Sequence, residues 1–406
     1  MPSAERITVI DCLRGAALFG ILAANMRGFA APATAYFRPD LMWPALHDRI
    51  AQSLVDWLIS GKFITIFSAL FGIGFGILMQ RAAARGRGSG VYMRRMTALL
   101  LIGGAHAFLL WWGDILISYA VCGFFLIFFR NRSSRTILWW AHGLYWFMLL
   151  VFVGFYVAVL AGAAPPAFPE ATPDDLRKAV DTYANGTFGQ ILRLRAQEWL
   201  MLNSFVVLLT RILGIFLYGL YIWRQGYVQD VNAHLDWWRR VQRISFPIGL
   251  AGNAITAVAV HWTGVNPFQP SLPMLTLLLI QSATVPALSL FYASTIVLLY
   301  QDPVWRRRLH PFSYVGRMAL TNYLLQSVIC TTIFYSYGLG LAGTVGPLAA
   351  LPLAVVVYGA QVPLSRWWLS RWPYGPVEWV WRRVTYGAFQ ASGLGTDAQA
   401  RVPPGS

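Results

Sequence analysis

Charge is what this sequence has least of. Only 12% of its 406 residues are Asp, Glu, Lys or Arg, while 57% are hydrophobic. Soluble domains carry about 25% charged residues, so the composition excludes an ordinary soluble protein and points to a membrane protein. Acidic residues are the scarcer half, 16 against 32 basic ones. Lysine is almost missing: Lys62 and Lys178 are the only two, which leaves 30 arginines. The net charge of +16 implies no nucleic-acid partner, because the basic residues sit in short clusters between apolar runs, as in cytoplasmic loops. Cysteine is rare, and Cys12, Cys122 and Cys330 all fall in apolar segments, where buried, inert thiols are expected. There is no metal-binding constellation, no P-loop and no histidine spacing suited to haem between two helices. Metal, ATP-driven and redox chemistry are therefore not expected. Nor is a cleavable signal peptide: Glu5 and Arg6 precede the first apolar run, and no small-residue cleavage pattern follows it.

What is present is a series of apolar segments. A helix needs about 20 mostly apolar residues to cross a bilayer. Ten segments qualify, roughly 8–28, 62–80, 96–112, 115–130, 137–162, 202–222, 244–262, 273–300, 313–336 and 346–365. The fold class is thus all-α, a polytopic bundle of about ten spans. Arg clusters follow the second, fourth, sixth, eighth and tenth spans, for example Arg94 and Arg95, Arg130 and Arg132, and Arg382 and Arg383. With ten spans every cluster falls on one side, which puts both termini in the cytoplasm. The opposite side holds two longer loops, 29–61 and 163–201. The second half of the first reads as an amphipathic interfacial helix. In the second, Asp174 and Asp175 mark a helix start. The tail 388–406 reads as disordered.

Ionisable groups inside a span cost several kcal/mol unless paired or hydrated, so each is a functional candidate. In the first span Asp11 and Arg14 are three residues apart and share a helix face. Asn25 lies eleven residues beyond Arg14, three turns and about 16 Å further along that face. His106 sits in the outer third of the third span, and Asp114 follows the Gly113 turn. A hairpin there brings the pair within hydrogen-bond reach as a base and its orienter; the alternative is that His106 satisfies a carbonyl and Asp114 only caps the next helix. Asn322 and Gln326 share a face at i,i+4, flanked by Tyr323, and either line a cavity or cross-link helices. Lys62 reads as snorkelling to the surface. Gly72, Gly74 and Gly76 signal tight helix packing. Arg211 has no obvious partner, and His142, His234, His261 and His310 attract no role.

Five stretches, "IDCLRGAALFGILAANM", "GKFITIFSALFGIGFGI", "RRMTALLLIGGAHAFLLWWGDILISYAVCGF", "GRMALTNYLLQSVI" and "YGPVEWVWRRVTYG", resemble the YeiB-like family, whose C-terminal half is known as domain of unknown function 418. The resemblance covers nearly the whole chain. It implies a bacterial inner-membrane protein with a single transmembrane domain over 1–387, divided into an N-terminal half 1–200 and a family-418-like half 201–387. More distantly, "LRGAALFGILAAN" is similar to the opening helix of the transmembrane acyltransferase superfamily, which includes the acyltransferase-3 proteins and heparan-α-glucosaminide N-acetyltransferase. Acyltransferase-3 members have a His eleven residues after the Arg. Here Asn25 stands at that position, so the reactive histidine must come from elsewhere, His106 or His47.

The resemblance implies acyl transfer from cytoplasmic acyl-CoA or acetyl-CoA to an acceptor at the outer face. On that reading His106 is the general base, oriented by Asp114, and Arg14 binds donor phosphates beside Asp11. Asn25 and Asn322 donate to the oxyanion, and Gln326 and Tyr323 line the substrate passage. No metal is required; membrane lipids, the donor and an unknown acceptor are the partners, and a homo-oligomer is left open. The competing expectation is a transporter or flippase for a lipid-like or small amphipathic solute, in which the same pairs gate or couple protons. A non-catalytic assembly partner is a third.

Overall fold

The computed structural model describes residues 8–37, 39–84, 89–163, 172–203, 207–265 and 271–386. The disordered tail expected at 388–406 lies outside them. The described residues are helical throughout, without a strand.

In chain order the helices are α1 (Thr8–Ala30), the short α2 (Thr34–Phe37) and α3 (Pro39–Met42), α4 (Leu46–Leu58), α5 (Lys62–Ala84) and α6 (Gly90–Ala105), which runs into a π turn, His106–Leu110. Next come α7 (Leu116–Leu126), α8 (Ser134–Leu160), α9 (Pro173–Asn185), α10 (Phe188–Asn203), α11 (Val207–Arg224), α12 (Leu235–Trp262) and α13 (Leu272–Leu299). The chain closes with α14 (Pro303–Arg317), α15 (Ala319–Phe334), α16 (Pro347–Leu369) and α17 (Pro376–Tyr386). Among the described residues seven helical segments are long and apolar enough to cross a membrane, and two apolar segments, Leu116–Phe129 and Ala319–Phe334, are shorter. The seven coincide with seven of the ten expected spans. The expected span over 202–222 falls partly outside the described residues.

The expected continuous span 313–336 is two helices, broken at Met318. The break follows from a cap supplied by a distant residue. Glu378 of α17 accepts hydrogen bonds from the Leu320 and Thr321 amides at 2.7 and 3.1 Å, and from the Thr321 hydroxyl at 2.5 Å. A carboxylate on the free N–H groups of a helix start satisfies donors that would otherwise be orphaned.

The bundle is built around α1, which packs against α4, α5, α13, α14, α15 and α16. Small residues allow this. A side chain at Gly15 would meet the Phe312 carbonyl, and one at Gly316 would meet the Asp11 carbonyl. Gly72 on α5 and Gly219 on α11 likewise oppose the Phe216 and Ala69 carbonyls, so Gly72 acts in packing. The three cysteines are buried and free.

The described residues of the two longer loops, 29–61 and 163–201, are largely helical. Thr172 and Asp175 form a reciprocal capping box at the start of α9. The amphipathic helix expected in 29–61 is α4, joined to α5 through Gly61 at φ +82°, a conformation that only glycine adopts without strain.

Candidate functional site

The π turn is where α6 ends and the candidate site begins. Its last bond runs from the Trp111 amide to the His106 carbonyl at 2.9 Å, five residues back. Such single-turn π segments are rare in α-helices and frequent at functional sites. Trp111 then turns extended, stacks on Phe29 at 4.1 Å and donates from Nε1 to the Gly28 carbonyl of α1 at 3.0 Å. The chain reverses over Gly113, whose Cα rests on the Trp111 ring so closely that any side chain there would overlap it. This reversal delivers Asp114 to His106.

Asp114 uses both oxygens. Oδ1 lies 2.8 Å from His106 Nδ1, and Oδ2 accepts the Ile117 amide at 2.8 Å, capping α7. Of the two alternatives the pairing is the one present, and Asp114 caps α7 in addition. The opposite ring nitrogen, His106 Nε2, is 2.8 Å from Ser327 Oγ on α15. The tautomer that donates from Nδ1 to the carboxylate leaves Nε2 to accept the serine hydroxyl. Tyr323 packs its ring against His106 at 5.0 Å. His106, Asp114 and Ser327 are all buried.

A cavity of about 530 Å³ adjoins this relay, between Ile102, Ala105, His106 and Leu109 on one wall and Leu324, Pro376, Val377 and Val380 on the other. His106 is its one titratable lining residue. Leu109 and Val380 are half exposed, so the cavity opens at the bundle surface, which for a membrane protein faces lipid.

The other residues singled out in the sequence are placed differently. Arg14 pairs with Asp11 at 3.0 Å, on the α1 face beside Gly74, and neither lines the cavity. Asn25, expected at the oxyanion, is absent from the cavity wall too. Asn322, the second expected donor, spends its amide on Ser365 Oγ (3.0 Å) and the Val315 carbonyl (3.3 Å). Gln326 donates to Gln361 at 2.9 Å, and Gln361 donates to the Asn322 carbonyl at 3.0 Å. Of the two alternatives for this pair, cross-linking is the one realised: they tie α15 to α16. His47 is exposed on α4, 3.3 Å from Asp48.

Relatives match this chain over nearly its whole length. The family described as protein of unknown function (DUF418) matches residues 222–388. The uncharacterized protein YxaH of Bacillus subtilis (strain 168) is 35% identical over 405 residues, spanning 95% of this chain and 96% of that one. The chain belongs to the DUF418 family. The uncharacterized protein YeiB of Escherichia coli (strain K12) is 30% identical, over 95% of this chain and 97% of its own. An uncharacterized 39.9 kDa protein from the amylase 3' region of Bacillus acidopullulyticus is 29% identical over 94% of each chain. No solved structure matches.

Ser327 of this DUF418 protein carried no sequence signal. It stands 221 residues from His106, in an apolar helix, with no nucleophile motif around it. Two further clusters were also hidden. Asp56 accepts from Ser60 (2.6 Å) and Arg27 (3.3 Å) and lies 2.8 Å from His261 Nε2. Lys62 does not snorkel outward: it is buried and donates to the Asp56 carbonyl at 2.6 Å. Asp56 ends α4 just where a buried cation can use its carbonyl, and periodicity does not reveal that. Arg211 finds the Tyr145 hydroxyl at 3.2 Å.

The second cluster joins α10 to the π turn. Glu198 accepts from the Ala33 amide (2.8 Å) and the Tyr183 hydroxyl (2.5 Å). Arg195, fully buried, donates to the Phe108 carbonyl at 3.1 Å. Burial pushes the Glu198 carboxyl up to about 7, against the lowering effect of its hydrogen bonds and of Arg195. Burial also raises the Glu378 carboxyl.

Proposed function

We propose that this protein is a bacterial inner-membrane acyltransferase that moves an acyl group from cytoplasmic acyl-CoA to an acceptor at the outer face. The observation that carries this reading is the buried His106 imidazole, oriented through Nδ1 by Asp114 and facing Ser327 through Nε2, directly behind the wall of an apolar cavity. An imidazole held through Nδ1 by a carboxylate suits a general base acting on a group delivered by an acyl chain. The cavity lies within the size range of small-molecule sites. Its α17 wall leads from Val380 to Arg382 and Arg383, where donor phosphates find guanidinium groups.

The test is CoA release. Purified protein with acetyl-CoA or a long-chain acyl-CoA, plus envelope extract as acceptor, is expected to release free thiol. His106→Ala should lower the rate by about 10²–10⁴-fold with the melting temperature retained. A well-folded His106→Ala variant of full activity would remove the assignment. The competing transporter reading has the cavity's opening toward lipid in its favour. It predicts solute movement without thioester consumption.

A further inference from the structure

The arrangement around His106 extends beyond a base and its orienter. Asp114 Oδ1, His106 Nδ1, His106 Nε2 and Ser327 Oγ form one line of two 2.8 Å contacts. This is the order of groups that activates a serine hydroxyl: a carboxylate that fixes the imidazole, and an imidazole nitrogen that faces the hydroxyl. The geometry points to Ser327 as a covalent acyl carrier, acylated from a thioester donor and deacylated by the acceptor.

Three features support a nucleophile over a bystander hydroxyl. First, the tautomer that donates from Nδ1 to Asp114 presents Nε2 as an acceptor 2.8 Å from the serine hydroxyl, the arrangement of a nucleophile and its base. The competing acceptor, the Tyr323 carbonyl, is 3.4 Å away, too long to hold the hydroxyl proton. Second, Leu324 on α15 lines the cavity and Ser327 follows it by three residues, about 4.5 Å along the helix. Ser327 itself is buried just behind that wall, one helical turn from the cavity. Third, the neighbourhood is dry: His106 and Ser327 are 1% and 0% exposed, which protects a serine ester from hydrolysis.

The chemistry balances without an added reagent. His106 Nε2 takes the Ser327 proton as Oγ bonds to the thioester carbonyl carbon. Collapse breaks the C–S bond as Nε2 passes that proton to the leaving sulfur, so the donor departs as a free thiol and the imidazole is again unprotonated at Nε2. In the second half an acceptor hydroxyl or amine gives its proton to Nε2 and bonds to the acyl carbon. The ester C–O bond then breaks and the proton returns to Oγ. A carrier serine separates the donor and acceptor steps in time, so the donor can leave before the acceptor arrives.

This inference rests on the acyl-transfer reading but is tested apart from it. The full-length protein in detergent is incubated with 4-nitrophenyl acetate, which needs no CoA site, and separately with acetyl-CoA. Each sample is acid-quenched and digested for tandem mass spectrometry. The expected result is an acetyl group on Ser327 from both donors, reduced about 10²-fold or more in His106→Ala and absent in Ser327→Ala. Ser327→Cys should carry a thioester at the same position, which shows that the site and not the fold is read. No adduct from either donor, together with a folded Ser327→Ala that releases CoA at the unaltered rate, overturns the carrier; loss of CoA release in His106→Ala would then leave direct transfer intact. An adduct from the nitrophenyl ester with no CoA release from any thioester keeps the nucleophile and removes the acyl-CoA reading.

Discussion

At the residue scale, the side chains that matter most are those asked to do two things. Asp114 orients His106 and caps α7, so it cannot be replaced by a group that does only one. Asp114→Asn keeps the shape but offers an N–H where Nδ1–H needs an acceptor, which favours the opposite tautomer. Transfer should fall by roughly 10²-fold or more, while the melting temperature moves little because Asn still caps; unchanged CoA release would contradict the relay. Glu198 is the second such residue. Its carboxyl sits near 7 in the folded protein, against an ordinary value of 4.5. Between those values the folded state keeps a proton that the unfolded chain has lost, so stability falls as pH rises through that window and levels off above it. The loss is on the order of 3 kcal/mol. Glu198→Gln should flatten this part of a melting profile taken from pH 5 to 8; parallel profiles for variant and parent would refute the linkage. Glu378 adds a slope of the same sign, and only the difference between the two proteins isolates Glu198.

At the element scale, local and distant causes separate cleanly. The His106–Asp114 pair was legible because eight residues and a glycine turn join its members. Ser327 was not, since nothing local distinguishes a serine that faces a base from one that faces lipid. The oxyanion roles expected of Asn25 and Asn322 came from position along a helix, which does not say what a neighbouring helix presents; for Asn322 that is Ser365 and Gln361. The split of 313–336 escaped for the same reason. Hydropathy runs through Met318 unbroken, and the cap that starts α15 comes from Glu378, beyond the whole of α16. Removing it with Glu378→Leu leaves the Leu320 and Thr321 amides unpaired, at a cost of about 1–3 kcal/mol. Stability and CoA release should fall together, because α15 carries Ser327. Glycine contacts offer a matched control. Gly316→Ala places a methyl against the Asp11 carbonyl, whereas Gly104→Ala meets nothing within 4 Å. The first should destabilise by about 1–3 kcal/mol and the second should not; equal melting temperatures would contradict the α1–α14 contact.

At the scale of the whole molecule, the expected ten-span topology puts the Arg clusters on one side and α9–α10 on the other. All three native cysteines are buried, so an introduced thiol reports against a quiet background. Ser89→Cys and Asp174→Cys are expected to label from opposite sides of intact membranes with an impermeant maleimide. Labelling of both from one side would overturn the ten-span topology. The same arrangement gives Arg195 a wider meaning. Its hold on the Phe108 carbonyl fastens α10 to the turn that carries His106, and Glu198 fastens α10 to the chain leaving α1. The outer helices are thus a handle on the relay. In the expected topology, a binder that pries α10 away would slacken the turn that carries His106 without competing with anything in the cavity.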